Sequence, residues 1–173
     1  MRNVQKIIDT RGGLEALKRK YILLEVPGFM RLVIEHIGTG PRGGELVSVT
    51  HYGEQNNDPM RDPEIVFEVA AGQWQPVSIQ MDYTGSCREA VFVGEDGKVF
   101  VRPAEVRDIQ AFARIWDRNL QAQGFVDAAK DRDACCDNHA TRRAQRPRSP
   151  VLMRSQHFSK RETTWSAKEW RVD

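Results

Sequence analysis

Phe29-Met30-Arg31-Leu32-Val33-Ile34-Glu35-His36-Ile37-Gly38-Thr39-Gly40-Pro41-Arg42-Gly43-Gly44-Glu45-Leu46-Val47-Ser48-Val49-Thr50-His51-Tyr52 is the stretch that decides the fold. Two runs rich in β-branched and apolar residues, 31–37 and 46–52, flank a link of glycine, proline and arginine. Pro27-Gly28 marks the start of the first run and Gly38 its end, the punctuation expected of strands. In the second run Val47, Val49 and His51 share one face, and Ser48, Thr50 and Tyr52 share the other. The link is far too short for a crossover, so the two strands pair antiparallel.

The same period continues toward the C-terminus. Ile65, Phe67 and Val69 alternate, Ala71-Gly72 turns the chain, and residues 74–81 form another strand with Val77, Ile79 and Met81 facing the core. Pro76 has no N–H for a ladder, which predicts an edge or a bulge there. Runs 89–93 and 98–102 flank Gly94-Glu95-Asp96-Gly97, a hairpin signal. Residues 54–63, between the second and third strands, read as a polar loop.

Helical spacing appears only near the ends of this region. Val4, Ile7 and Ile8 predict a short amphipathic helix stopped by Gly12-Gly13, and Leu14 and Leu17 a second short turn ending near Lys20. Val106, Ile109, Phe112, Ala113, Trp116 and Leu120 make one apolar stripe, opened by Pro103 and closed by Gly124. The predicted class is α+β: an antiparallel five- to six-stranded sheet packed against N-terminal and C-terminal helices, with a basic C-terminal tail.

Composition divides the 173 residues into a domain, 1–125, and a tail, 126–173. The first part holds 15 Lys and Arg against 17 Asp and Glu; the second holds 11 against 7 and carries the positive charge. Residues 141–161 contain seven basic residues and no acidic one, a composition that predicts disorder because it buries too little apolar surface to offset chain entropy. No run approaches the roughly 20 apolar residues of a membrane helix, and the N-terminus lacks the apolar stretch of a signal peptide. Three cysteines, two of them adjacent as Cys135-Cys136, make no disulfide framework, so a soluble cytoplasmic protein is expected, with Cys87 a small apolar filler.

The run His51-Tyr52-Gly53-Glu54-Gln55-Asn56-Asn57-Asp58-Pro59-Met60-Arg61-Asp62-Pro63-Glu64, followed by Phe67-Glu68, resembles the signature of an uncharacterised bacterial domain family. That family is a domain of unknown function often carried by plasmids, phages and integrative elements. Trp74-x-Pro76 leading into Asp82-x-x-Gly85 also matches, as does Phe112-Ala113-Arg114-Ile115-Trp116 ending in Asn119-Leu120-x-x-Gln123-Gly124-Phe125. The resemblance covers residues 4–125 and implies no activity, since the family has no assigned chemistry.

Two sets of residues are candidates for function. His51, Glu54, Asp58, Asp62 and Glu64 gather carboxylates and a histidine near the polar loop, the oxygen-rich supply that a hard cation needs. The same Asn and Asp residues are turn formers, His51 continues an apolar strand face, and Arg61 has Asp62 and Glu64 beside it for a local ion pair. No metal-ligand spacing, GxSxG, P-loop, HExxH or GxGxxG pattern is present, so no metal site or cofactor is assigned.

The second set is basic: Arg142, Arg143, Arg146, Arg148, Arg154, Lys160 and Arg161 in the tail, with Arg107, Arg114 and Arg118 on the last helix. Such cations neutralise phosphates, and Phe158, Trp165 and Trp170 supply rings that stack on bases. The expectation is a non-enzymatic accessory protein of a bacterial mobile element that binds nucleic acid or a protein partner. The alternative is a metal-dependent nuclease or hydrolase built on residues 54–64.

Overall fold

Helix α1 (Arg2–Thr10) forms because Val4, Ile7 and Ile8 recur on one face, and all three are buried. Gly12, at φ +100°, breaks it, and α2 (Gly13–Leu17) adds the buried Leu17. These coordinates are a computed structural model that describes residues 1–131; the seven cations at 142–161 lie outside the described residues.

The chain then runs as an antiparallel meander. Strands β1 (Ile22–Leu24), β2 (Arg31–Thr39), β3 (Glu45–Gln55), β4 (Asp58–Ala70), β5 (Gln73–Met81) and β6 (Ser86–Glu89) neighbour one another in sequence order. A one-turn 3-10 helix, Asp82–Thr84, links the last two. Strands β7 (Val91–Val93) and β8 (Val99–Val101) form a separate two-stranded sheet. Helix α3 (Pro103–Ala122) and the short α4 (Phe125–Ala128) complete the described chain, with Phe125 and Ala129 both buried. The architecture is the α+β sheet-and-helix arrangement that the alternation predicted.

One sheet face carries the core. Ile34, Val47, Val49, Phe67 and Ile79 pack against Ile7 and Ile8 of α1 and against Ile109, Trp116 and Leu120 of α3, so the terminal helices cover a single face. On the opposite face a smaller cluster of Leu46, Val66 and Val77 receives Val91 from β7.

Several local readings are corrected. Residues 54–63 are not a loop: β3 and β4 continue through them and turn at Asn56-Asn57, both with positive φ (54° and 67°). A two-residue turn with both central φ positive matches the right-handed twist of its strands, and Asn tolerates it. The arms look like loop because side chains there meet solvent on both faces and no alternation marks them. Strand β1 escaped notice because three apolar residues are too few to display a period. Strand β2 runs on past Gly38 to Thr39 through a register shift.

Pro76 does mark a bulge, where the β4–β5 register shifts between Val66 and Phe67. The extra residue turns Val77 onto the second face, so of the three residues expected to face the core, Ile79 and Met81 face the helices and Val77 does not. Cys87 is exposed on the short strand β6 and fills no core position.

Candidate functional site

Strand pairing sets the positions of the predicted acidic group. Glu54 and Asp58 stand near the hairpin tip, exposed and in register with Pro59 and Gln55 respectively. Glu64 lies six residues along β4 from Asp58, roughly 20 Å at the rise of an extended strand. Asp62 sits in the register shift between Thr50 and Tyr52, partly exposed. The structure thus spreads these carboxylates along a ribbon, and no group of three His, Cys, Asp or Glu is placed to hold a metal ion among the described residues.

Glu64 belongs instead to a buried network on the sheet face away from the helices. The Ser48 hydroxyl donates to Glu64 Oε1 at 2.8 Å and shares a 3.0 Å bond with Thr50. Arg61 reaches Glu64 through Nη1 at 3.0 Å, and its Nε and backbone N–H both donate to Asp82, at 3.0 and 2.9 Å. Gln80 donates to the other Asp82 oxygen at 2.7 Å. Burial alone would raise the Asp82 carboxyl; the Arg61 and Gln80 hydrogen bonds outweigh it and hold Asp82 below the usual carboxylate range. Arg61 was expected to pair with Asp62 and Glu64; its second partner is Asp82, 21 residues on.

This arrangement is a clamp between β4 and the turn after β5. With Arg61→Ala, two carboxylates lose their counter-charge, and we expect a loss of about 2 kcal/mol in urea unfolding. Asp58→Asn, at an exposed position, should stay within about 0.5 kcal/mol of the parent. A loss of metal-dependent activity without loss of stability on Asp58→Asn would instead point to catalysis at the tip.

His51 is a core residue. It is 4% exposed, and its ring sits edge-on to Trp116 at 5.4 Å and Phe125 at 5.3 Å. Burial pushes its pKa down to about 4, so at neutral pH the imidazole is uncharged. Its Nε2 finds no hydrogen-bond partner among the described residues, and the described chain holds no nucleophile–base pair built on it.

Glu68 and Trp74 also make structural contacts. Glu68, 3% exposed, accepts from the Arg42 side chain at 2.8 Å and from the backbone N–H groups of Arg42 and Gly44, both at 2.9 Å. A Cβ on Gly44 would stand 2.7 Å from the Glu68 side chain, so the glycine there lets the β2–β3 turn close over the carboxylate. Trp74 packs edge-on to Phe67 and donates to Gln5 at 3.1 Å, tying β5 to α1.

A family model for a domain of unknown function, DUF6908, matches residues 2–126. The chain belongs to that family. The DUF6908 match covers the region of the resemblance and ends within α4. No curated protein and no solved structure matches the chain. In this DUF6908 domain His51, Arg61, Glu64, Trp74, Asp82 and Trp116 all serve packing or buried and half-buried hydrogen bonds.

Two surface features remain once those contacts are assigned. A cleft of about 510 Å³ opens between loop 25–31 and residues 52–54. It mixes Glu25 and Glu54 with Arg31, whose guanidinium stands 5.7 Å from the centre of the Tyr52 ring. The other feature is the β7–β8 hairpin. Its register pairs Val91 with Val101 and Val93 with Val99 on one face, and Phe92 with Phe100 on the other. Only Val91 is buried; Val93, Val99, Phe100 and Val101 are 55%, 38%, 44% and 47% exposed.

Sequence reasoning found this hairpin but gave it no role. The available signal was that 91–93 and 99–101 are apolar at every position, where a half-buried strand would alternate. Arg107, Arg114 and Arg118 lie exposed on the solvent side of α3. Among the described residues no helix is long and apolar enough to cross a membrane.

Proposed function

We propose that this chain is a non-enzymatic accessory protein of a bacterial mobile element, acting in the cytoplasm, and that its folded domain binds a protein partner. The observation that carries this reading is the β7–β8 hairpin, apolar on both faces and, among the described residues, unpaired along the outer edge of β8. An isolated two-stranded ribbon is marginal in water, and an exposed apolar edge invites pairing with another chain. The charge of the domain favours the same choice: 15 basic against 17 acidic residues up to Phe125 offer little net attraction for phosphates. Nucleic-acid binding is the reading that suits Arg142, Arg143, Arg146, Arg148, Arg154, Lys160 and Arg161, with Arg114 and Arg118 as an extension.

The test compares the native protein with a Val99→Lys/Val101→Lys variant, lysine being an effective guard of a strand edge. Affinity capture from the native cells should recover a stoichiometric protein with the parent and lose it with the variant. An identical set of recovered proteins from both would overturn the assignment to the hairpin. Labelled DNA and RNA, titrated across salt, address the other arm. Binding lost when the seven cations at 142–161 are neutralised belongs to that segment; binding that survives belongs to the domain and contradicts the protein-partner reading.

A further inference from the structure

We propose that the edge of β8, unpaired among the described residues, accepts an extended strand of another protein whose side chains run acidic, aliphatic, aromatic, aliphatic, acidic. The inference rests on the reading that the β7–β8 hairpin is the docking surface, and it names the chemistry of what docks.

Hydrogen-bond alternation supplies the backbone half of the argument. Gly94 N–H donates to Lys98 O, and Arg102 N–H to Ala90 O, both at 2.8 Å. Bonded pairs in an antiparallel ladder fall on every second residue, so Phe100 exchanges its bonds with Phe92. The N–H and C=O groups of Val99 and Val101 therefore turn outward, about 7 Å apart, the repeat at which an added strand makes its own bonds.

Side chains supply the rest. Val99 and Val101 stand on the valine face, so the residues opposite them in an added strand are aliphatic. Phe100 stands on the other face and stacks on Phe92 with ring centres 5.4 Å apart and planes 17° from parallel, so an aromatic residue opposite it extends the stack. Alternation places Lys98 and Arg102 on that same face, one at each end. Lys98 pairs with Asp96 at 3.0 Å, but both are exposed, so the pair exchanges readily. Arg102 lies over the Phe92 ring at 4.3 Å and donates to the Glu89 carbonyl; among the described residues it makes no ion pair. Two cations bracketing an apolar triplet select carboxylates at the matching positions.

The same charges argue against a second copy of this chain. Two β8 strands related by a two-fold axis at Phe100 would pair Val99 with Val101, but would also set Lys98 opposite Arg102 at both ends. Like charges directly opposed destabilise a strand pair, and three residues per strand bury little area to offset that.

The test is a titration of the full-length protein, followed by amide NMR shifts, with a nine-residue peptide centred on Glu-Val-Phe-Val-Glu and its counterpart centred on Lys-Val-Phe-Val-Lys. The Val99 and Val101 amides should shift with the glutamate peptide, and the lysine peptide should bind about tenfold more weakly. Lys98→Glu, at an exposed site, should shrink that gap several-fold. Equal binding of both peptides at Val99 and Val101 would keep the hairpin as docking surface and overturn the acidic partner. Concentration-dependent self-association that broadens the same amides, with neither peptide binding, would make the occupant a second copy and overturn the proposal. Shifts elsewhere, or none, without self-association would overturn the hairpin reading itself.

Discussion

Replacing Asp117 with alanine is expected to cost the domain about 3 kcal/mol, read as a lowered urea midpoint at unchanged slope. Asp117 sits on α3 yet caps α1. Its carboxylate accepts from the backbone N–H groups of Arg2, Asn3 and Val4 at 3.1 Å each, and its backbone carbonyl accepts from the Asn3 side chain at 2.9 Å. Those N–H groups open a helix and have no partner within it, and the negative charge lies against the positive end of the helix dipole. Both Asn3 and Asp117 are buried, at 6% and 7% exposure, so water does not replace the lost bonds cheaply. Asp117→Asn keeps an acceptor and loses the charge, and should fall about midway. A loss below about 1 kcal/mol for the alanine variant would mean that α1 is held by its apolar face alone.

The second large effect is with pH. His51 has a folded-state pKa of about 4, set by burial, against an ordinary value of 6.5. Between those values the unfolded chain binds a proton that the folded one refuses. Stability is therefore constant from this source above about pH 6.5 and falls as pH drops toward 4, by roughly 3 kcal/mol in total at about 1.4 kcal/mol per unit. Asp82 and Glu68 titrate in another window. Burial raises each, hydrogen bonds with Arg61 or Arg42 outweigh it, and the net lowering means that their contribution is lost only below the ordinary carboxylate range. His51→Leu, close in volume, should flatten the curve between pH 6.5 and 4.5 and leave the loss below pH 4. An unchanged slope between pH 6.5 and 4.5 would show that His51 does not carry it.

The two effects share a cause that bears on function. Asp117 ties α1 to α3, and His51 sets the sheet against Trp116 of α3 and Phe125 of α4. The Arg61–Glu64–Asp82 clamp and the Glu68 seat do the same for the turns. A motif rich in charges invites a catalytic reading, but here each buried charge meets a partner with its own geometric demand. The unsatisfied surface lies elsewhere, on a hairpin whose residues attract no attention as a motif.

By itself, the sequence determined the class of the fold and most of its elements. Alternation in 31–37, 46–52 and 65–69 marked strands, the short links made them antiparallel, and the stripe from Val106 to Leu120 marked α3, because period and turn chemistry are local properties. Asn56-Asn57 is itself a turn signal for the hairpin at 54–63, but the polarity of both arms hides their period. Tertiary structure alone decided the pairings that span the chain: Asp117 with α1 across 114 residues, Arg61 with Asp82, and His51 between Trp116 and Phe125. It also decided that β7 and β8 leave the main sheet and expose four large side chains. Which donor meets which acceptor, and which apolar face stays open, depends on where distant segments come to rest, and no local period encodes that.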